Sequence, residues 1–280
     1  AEDGIRDWSV TGVQTCALPI YNNTTGELAG TLGNDFTLDF VAIGVTQQLG
    51  QELVAQVPDG LVLHVKADTV RRVATTENVI ADSRWGNPNN VVMVGAHLDS
   101  VAEGPGINDN GSGSAALLEI ATQLRLFPTR NRVRFALWAA EEAGLVGSTY
   151  YVDNLPVAER EKIRLYLNFD MVGSPNYVRF VYDGDNSAFP PGTGSAAGPP
   201  GSDVIEKLFH DYFAAQGLHS AETPFSGRSD YGPFIAPGVD IPSGGLFTGS
   251  EGVKTPEEAA RYGGVAGQPY DPCYHRPCDT

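Results

Sequence analysis

From Asn78 onward the sequence alternates short apolar runs with amphipathic stretches. VVMVGA at 91–96 is a continuous apolar run of buried-strand length, and SGSAALLEIATQLRLF repeats apolar residues at helical spacing. RVRFALWAA reads as the next strand, GLVGSTYYVDNL as a helix, and IRLYLNFDMVG and YVRFVYDG as further strands. After the Pro/Gly loop PPGTGSAAGPPG, DVIEKLFHDYFAAQG predicts a helix stopped by Gly217. Thr255, Pro256 and Glu258 spell a capping box at the head of another. Strands alternating with helices predict an α/β fold of three layers, a mixed, mostly parallel sheet covered by helices on both faces. No internal repeat is visible.

Residues 21–75 read differently, as β-rich pieces (FTLDFVAIGV and LVLHVKADTV) around the short helical stretch TQQLGQELVAQV. We therefore expect a partial β-rich domain over 21–75 and an α/β domain over 76–280. Residues 1–20 have no helical or strand period, nor the basic-then-apolar form of a signal peptide. Val10 to Ile20 is the in-frame translation of a short-read sequencing adapter, so we expect Ala1–Ile20, with Cys16, to be an unstructured artefact and the natural N-terminus, with any export signal, to be missing. The chain also stops directly after CDT, so we expect the C-terminus to be cut as well.

Length and charge narrow the function. A chain of 280 residues holds one large domain or two modest ones. With 18 Lys+Arg against 34 Asp+Glu its net charge is -16, which repels phosphate backbones and anionic lipid. No apolar run approaches the roughly 20 residues that cross a bilayer. Neither nucleic acid nor a membrane is an expected partner. Cys273 and Cys278, in DPCYHRPCD, could form a disulfide, half a zinc site or two unrelated thiols. We favour the disulfide, which shapes the loop carrying Tyr274 and His275 and implies an oxidising, extracellular setting.

The acids and imidazoles are the informative residues. His97 and Asp99 directly follow the strand at 91–96, Asp109 lies in GINDNGSGS ahead of a helix, and Glu141 and Glu142 follow RVRFALWAA. Asp170 ends IRLYLNF, and His275 lies in the cysteine loop. In an open α/β sheet the carboxyl ends of the strands line one crevice, where distant residues converge. So many carboxylates at one rim are costly without a cation, and two divalent ions resolve the cost. Zinc accepts imidazole and carboxylate ligands and keeps a position for water. The inventory supplies a bridging Asp109, His97 and Asp170 for one metal, and Glu142 and His275 for the other, leaving Glu141 as general base. Each feature has a plainer rival: the Glu141–Glu142 pair as an acidic helix start, Asp109 as a helix cap, and Tyr274 as a packed ring. His210 and His219 we read as structural. Asn110-Gly111-Ser112 fits a glycosylation sequon but reads better as loop geometry, and the sequons at Asn22 and Asn23 are weak signals.

GAHLDS, GINDNGSGSAALLE, AAEEAGLVGS, NFDMVGS, GRSDYGPF, GGLFTG and DPCYHRPCDT, in that order over 78–280, resemble the dizinc aminopeptidases of the aminopeptidase Y and bacterial leucyl aminopeptidase type. The resemblance implies the zinc-peptidase fold, two Zn2+ ions, the five ligands above and Glu141 as base. It implies that Asp99 orients His97, that Tyr274 donates to the oxyanion, and that Met171, Phe247, Gly227 and Arg228 line a pocket for an apolar first side chain. Residues 21–75 resemble the tail of a protease-associated domain, and by the same resemblance we expect the last helix of the family domain to be missing. The expected substrate is the free N-terminus of a peptide, cleaved by a secreted monomer. A same-fold zinc enzyme such as a glutaminyl cyclase or carboxypeptidase, and a non-catalytic binding module, remain alternatives. Tyr231 stands where some members carry a histidine, which we read as a subgroup difference. A modulating Ca2+ is compatible with the resemblance, and the sequence does not decide it.

Overall fold

The computed structural model describes residues 44–63, 74–190 and 195–280. The chain separates into two units between Thr75 and Thr76. In the first, helix α1 (Gln47–Gln56) starts where Thr46 Oγ1 accepts the Leu49 N–H, and a 3-10 turn at Val57–Asp59 ends at Gly60. This is the expected helical stretch. The expectations for Ala1–Ile20 and for the two sequons at Asn22 and Asn23 lie outside the described residues. So do most of the two flanking β-rich pieces.

The second unit is built on a seven-stranded sheet: β1 (Val79–Asp82), β2 (Asn87–His97), β3 (Asn131–Trp138), β4 (Ile163–Phe169), β5 (Phe180–Tyr182), β6 (Ala221–Thr223) and β7 (Ser243–Phe247). Their order is β1-β3-β2-β4-β7-β5-β6. The pairs β3/β2, β2/β4, β4/β7 and β5/β6 are parallel, while β1/β3 and β7/β5 are antiparallel. Helices α2 (Gly113–Leu124) and α5 (Ser202–Ala215) cover one face, and α3 (Val146–Asn154) and α6 (Gly232–Ile235) the other. The short α4 (Val157–Arg160) leads into β4, and α7 (Pro256–Tyr262) begins with the expected capping box.

The period of two along β2 explains the layers. Val91 and Met93 pack with Trp138, Tyr166, Val152 of α3 and Phe234 of α6, whereas Val94 and Ala96 pack with Phe135, Phe169, Leu117 of α2 and Phe209 of α5. A strand buried on both faces needs apolar residues at both parities, hence the unbroken run in sequence. On the α3 side Tyr166 stacks on Phe234 with ring centroids 4.1 Å apart and Trp138 leans on Phe234 at 6.0 Å. Such pairs add roughly 0.5–1.5 kcal/mol each beyond the area they bury.

The structure departs from the sequence pattern at several ends. β1, β6 and β7 were not expected as strands. β7 reads SGGLF because Gly245 sits at φ 151° with room for no side chain: a Cβ there would lie 2.0 Å from the Asn168 carbonyl oxygen. β4 stops at Phe169, since Met171 takes a left-handed φ of 53°, and only Phe180–Tyr182 of YVRFVYDG joins the sheet. β3 and β4 flank β2 on opposite sides, so the strand order reverses there, and a crevice opens at the carboxyl ends of these strands.

Candidate metal centre

Five expected ligands meet in that crevice. His97 is the last residue of β2, and Asp109 lies in an irregular turn, Ile107–Ser112, that feeds α2. Glu142 is in the turn after β3, Asp170 directly follows β4, and His275 is in the C-terminal loop. His97 Nε2 lies 3.1 Å from Asp109 Oδ1 and 3.3 Å from Asp170 Oδ1. His275 Nε2 lies 3.1 Å from Asp109 Oδ2 and 3.2 Å from Glu142 Oε2. The two triads therefore share Asp109, one oxygen each.

Their electrostatics are those of an anionic cage. Burial pushes the His97 imidazolium down, but Asp170, Asp109 and Asp99 outweigh it and hold it well above its usual range. Burial likewise opposes the proton on His275, yet Asp109 and Glu142 raise it to about 10. Burial would raise Asp109, but His275 and His97 bring it down to about 2. Glu142 Oε1 is buried and has no hydrogen-bond partner among the described residues. Two imidazoles facing shared carboxylates are satisfied by protons or by cations, and this donor set of nitrogen and carboxylate oxygen suits zinc.

The supporting residues explain why the loops sit as they do. The Asp99 carboxylate accepts the backbone N–H groups of Glu141 (3.0 Å) and Glu142 (3.1 Å). Its expected bond to His97 is different in detail: Nδ1 meets the Asp99 backbone carbonyl at 3.1 Å, and the carboxylate stands off at 3.6 Å. Asn110, and not Asp109, serves the start of α2, its Oδ1 accepting the N–H groups of Gly113 and Met171. Asn110 is only 2 % exposed, so its sequon is loop geometry. The peptide bond between Asp109 and Asn110 is cis. Glu141 is raised to about 9, first by burial and then by the Asp170 charge. The Tyr274 ring stacks on His275 at 3.8 Å, and burial followed by Asp109, Glu251 and Glu142 keeps its phenol protonated. Cys273 and Cys278 form a disulfide with Cα atoms 5.2 Å apart.

Three residues went unread in the sequence. Asp279 accepts the N–H groups of Asn108 (2.7 Å) and Asp109 (3.1 Å) and so clamps the bridging turn. Ser229 Oγ donates to Asp170 Oδ2 at 2.5 Å. Asp230, 1 % exposed, is raised to about 7 by burial. All three lie inside motifs quoted from the sequence, Ser229 and Asp230 in GRSDYGPF and Asp279 in DPCYHRPCDT, and that membership was the available signal. Tyr231 is buried, stacks on Phe225 and accepts the Gly227 N–H at 2.9 Å, a packing role. His210 Nδ1 pairs with Ser220 Oγ at 2.7 Å, and its ring groups with Glu206 and Glu222, with ligand atoms within 4.8 Å of one another.

The expected substrate residues are more scattered. Phe247 lines a cavity of about 340 Å³ with Val172, Phe213, Leu246 and Thr248, and Met171, Gly227 and Arg228 are not among its walls. Met171 is buried, Gly227 takes a left-handed φ of 76°, and Arg228 is exposed.

The profile of peptidase family M28 matches residues 78–280, and the chain belongs to this family. Over 225 residues it is 59 % identical to an aminopeptidase of Pseudomonas aeruginosa (strain UCBPP-PA14), covering 80 % of this chain and 40 % of that protein. It is 50 % identical over 267 residues to leucine aminopeptidase 2 of Trichophyton equinum, covering 93 % and 52 %. The zinc aminopeptidase of Bacillus subtilis superposes with a TM-score of 0.59 at 28 % identity, covering 85 % and 51 %. The chain thus spans about half the length of the relatives it matches or less.

Proposed function

We propose that this chain carries the catalytic centre of a two-zinc aminopeptidase that removes apolar N-terminal residues, leucine among them, from peptides. The observation that carries the reading is the shared Asp109, one oxygen 3.1 Å from each histidine Nε2. His97 and Asp170 would hold one ion and Glu142 and His275 the other, with Asp109 between them. Bound there, a zinc pair would supply an acidified water, a polarised scissile carbonyl and positive charge that favours the ionised form of Glu141.

The protein's own residues do the rest. Glu141, raised to about 9 while no cation offsets its burial and the Asp170 charge, would be ionised beside bound zinc and so able to take the water's proton on its carboxylate and hold it for the leaving amine. Tyr274, kept protonated, offers its O–H to the oxygen on which negative charge develops. The acidic surroundings favour a free α-ammonium on the substrate. The names of the relatives support the leucine preference, and the disulfide supports an extracellular setting. Among the described residues no helix is long and apolar enough to cross a membrane.

The test is Leu-p-nitroanilide hydrolysis with and without chelator, beside Glu141→Gln. Removing the general base should lower kcat by roughly 10²–10⁴-fold. Chelator-insensitive turnover, or an unimpaired Gln variant, overturns the mechanism. N-acetylated substrate separates the readings, since an aminopeptidase needs the free amine.

A further inference from the structure

Behind Asp170 runs a row of hydrogen bonds that the mechanism above does not use. Trp138 Nε1 donates to Tyr166 Oη at 2.9 Å, and Tyr166 Oη donates to Asn168 Oδ1 at 2.9 Å. Asn168 Nδ2 donates to Ser229 Oγ at 2.9 Å, and Ser229 Oγ donates to Asp170 Oδ2 at 2.5 Å. Trp138, Tyr166, Asn168 and Ser229 are 0 %, 0 %, 1 % and 6 % exposed, so water does not compete for these bonds.

The direction of the row is forced by its ends. An indole N–H can only donate and an ionised carboxylate can only accept. The Tyr166 hydroxyl, receiving at one side, must give its proton onward. That fixes the Asn168 amide with its oxygen toward Tyr166 and its nitrogen toward Ser229. Every dipole then points at Asp170. Bonds aligned in this way strengthen one another in a low-dielectric interior. The sequence makes room for the row with a glycine: a Cβ on Gly95 of β2 would fall 2.1 Å from Tyr166 Oη and 2.6 Å from Trp138 Nε1.

We infer that Trp138, Tyr166, Asn168 and Ser229 act together as positioning residues for Asp170, engaging Oδ2 so that Oδ1 is presented beside His97 as the ligand atom. The row turns a carboxylate on a strand end, free to rotate about its own axis, into one with a fixed donor oxygen. It reaches only one side of the centre, because Glu142 and His275 have no member of the row as partner. This rests on the proposed metal reading.

The experiment is a zinc competition titration with a chromophoric chelator on the full chain, as wild type, Tyr166→Phe, Ser229→Ala and the double variant. Loss of a residue that orients a ligand typically weakens metal binding about 10–100-fold. Each single variant should therefore weaken one of two zinc-binding steps by that factor and spare the other. The double variant should bind no more weakly than Ser229→Ala, because a row already cut at its last bond has no more to lose. Zinc binding unchanged in Tyr166→Phe, even if its Tm falls, overturns the inference, and so do effects that multiply in the double variant. If Tyr166→Phe does not fold, Trp138→Phe, which removes the first donor, completes the same cycle. A wild-type chain that binds no zinc overturns the metal reading and this inference with it, whereas normal wild-type binding with equal variants overturns this inference alone.

Discussion

Asp99 offers the sharpest test of how the centre is held, because one carboxylate sets two residues with different duties. Its two oxygens accept the backbone N–H groups of Glu141 and Glu142, the proposed base and a proposed ligand. Hydrogen bonds to a charged group contribute about 1.5–3 kcal/mol each, so deleting both puts roughly 3–6 kcal/mol at stake. The Asp99 side chain is 26 % exposed, and water entering the gap recovers part of that, so the lower bound is the better figure. At about 1.4 kcal/mol per tenfold, Asp99→Ala should weaken zinc binding on the order of 100-fold. Asp99→Asn keeps one acceptor oxygen and turns an amide N–H toward the other donor, so about tenfold is expected of it. The assay is the chelator competition, followed by Leu-p-nitroanilide turnover at saturating zinc. Turnover should stay depressed even when zinc is saturating, since Glu141 is displaced along with Glu142. Burial works against the Asp99 charge, but His97 and the two N–H groups outweigh it and lower its pKa below 3.8. The folded-state value is thus depressed, so this stabilisation is present above pH 3.8 and is lost as pH falls through the folded value. Wild-type zinc affinity in Asp99→Ala, or full rescue of turnover by excess zinc, would refute the reasoning.

Other consequences follow from the same geometry. With His275 at about 10, His97 also raised and Glu141 at about 9, both imidazoles and the Glu141 carboxyl carry protons at neutral pH when no cation is bound, so loading zinc at pH 7 should release about three protons, two from the imidazoles and one from Glu141. Affinity should then rise with pH until His275 ionises near 10; calorimetry in buffers of different ionisation enthalpy measures the release, and none at pH 7 contradicts the cage. Asp279→Ala frees the N–H groups of Asn108 and Asp109 and should weaken zinc binding about 10–100-fold, read by the same titration. Replacing Cys273 and Cys278 by serine opens a short loop and should cost about 2 kcal/mol in denaturant unfolding. Asp271 accepts the Cys273 N–H and the Asn108 side-chain N–H, and Asp279 accepts the N–H groups of Asn108 and Asp109, so unchanged stability would mean that these bonds hold the loop alone.

Much was legible in the sequence because it is a local property of the chain. The run VVMVGA declares a strand buried on both sides, the spacing in SGSAALLEIATQL declares α2, and Thr255 with Glu258 declares the head of α7, since strand parity, helical period and cap chemistry each involve neighbours a few residues apart. His97, Asp109, Glu142, Asp170 and His275 were readable for a related reason: acids and imidazoles placed at strand ends meet wherever a parallel sheet brings those ends to one edge. What tertiary structure alone decided is the set of contacts between residues far apart in sequence. Asp279 reaching back 170 positions to the Asp109 N–H, Ser229 meeting Asp170, and Trp138 passing its hydrogen bond through Tyr166 have no local signature. The same holds for β7, whose glycines look unlike a strand until Asn168 lies against Gly245. Periodicity encodes which face a residue presents, but only packing decides which distant group it meets there.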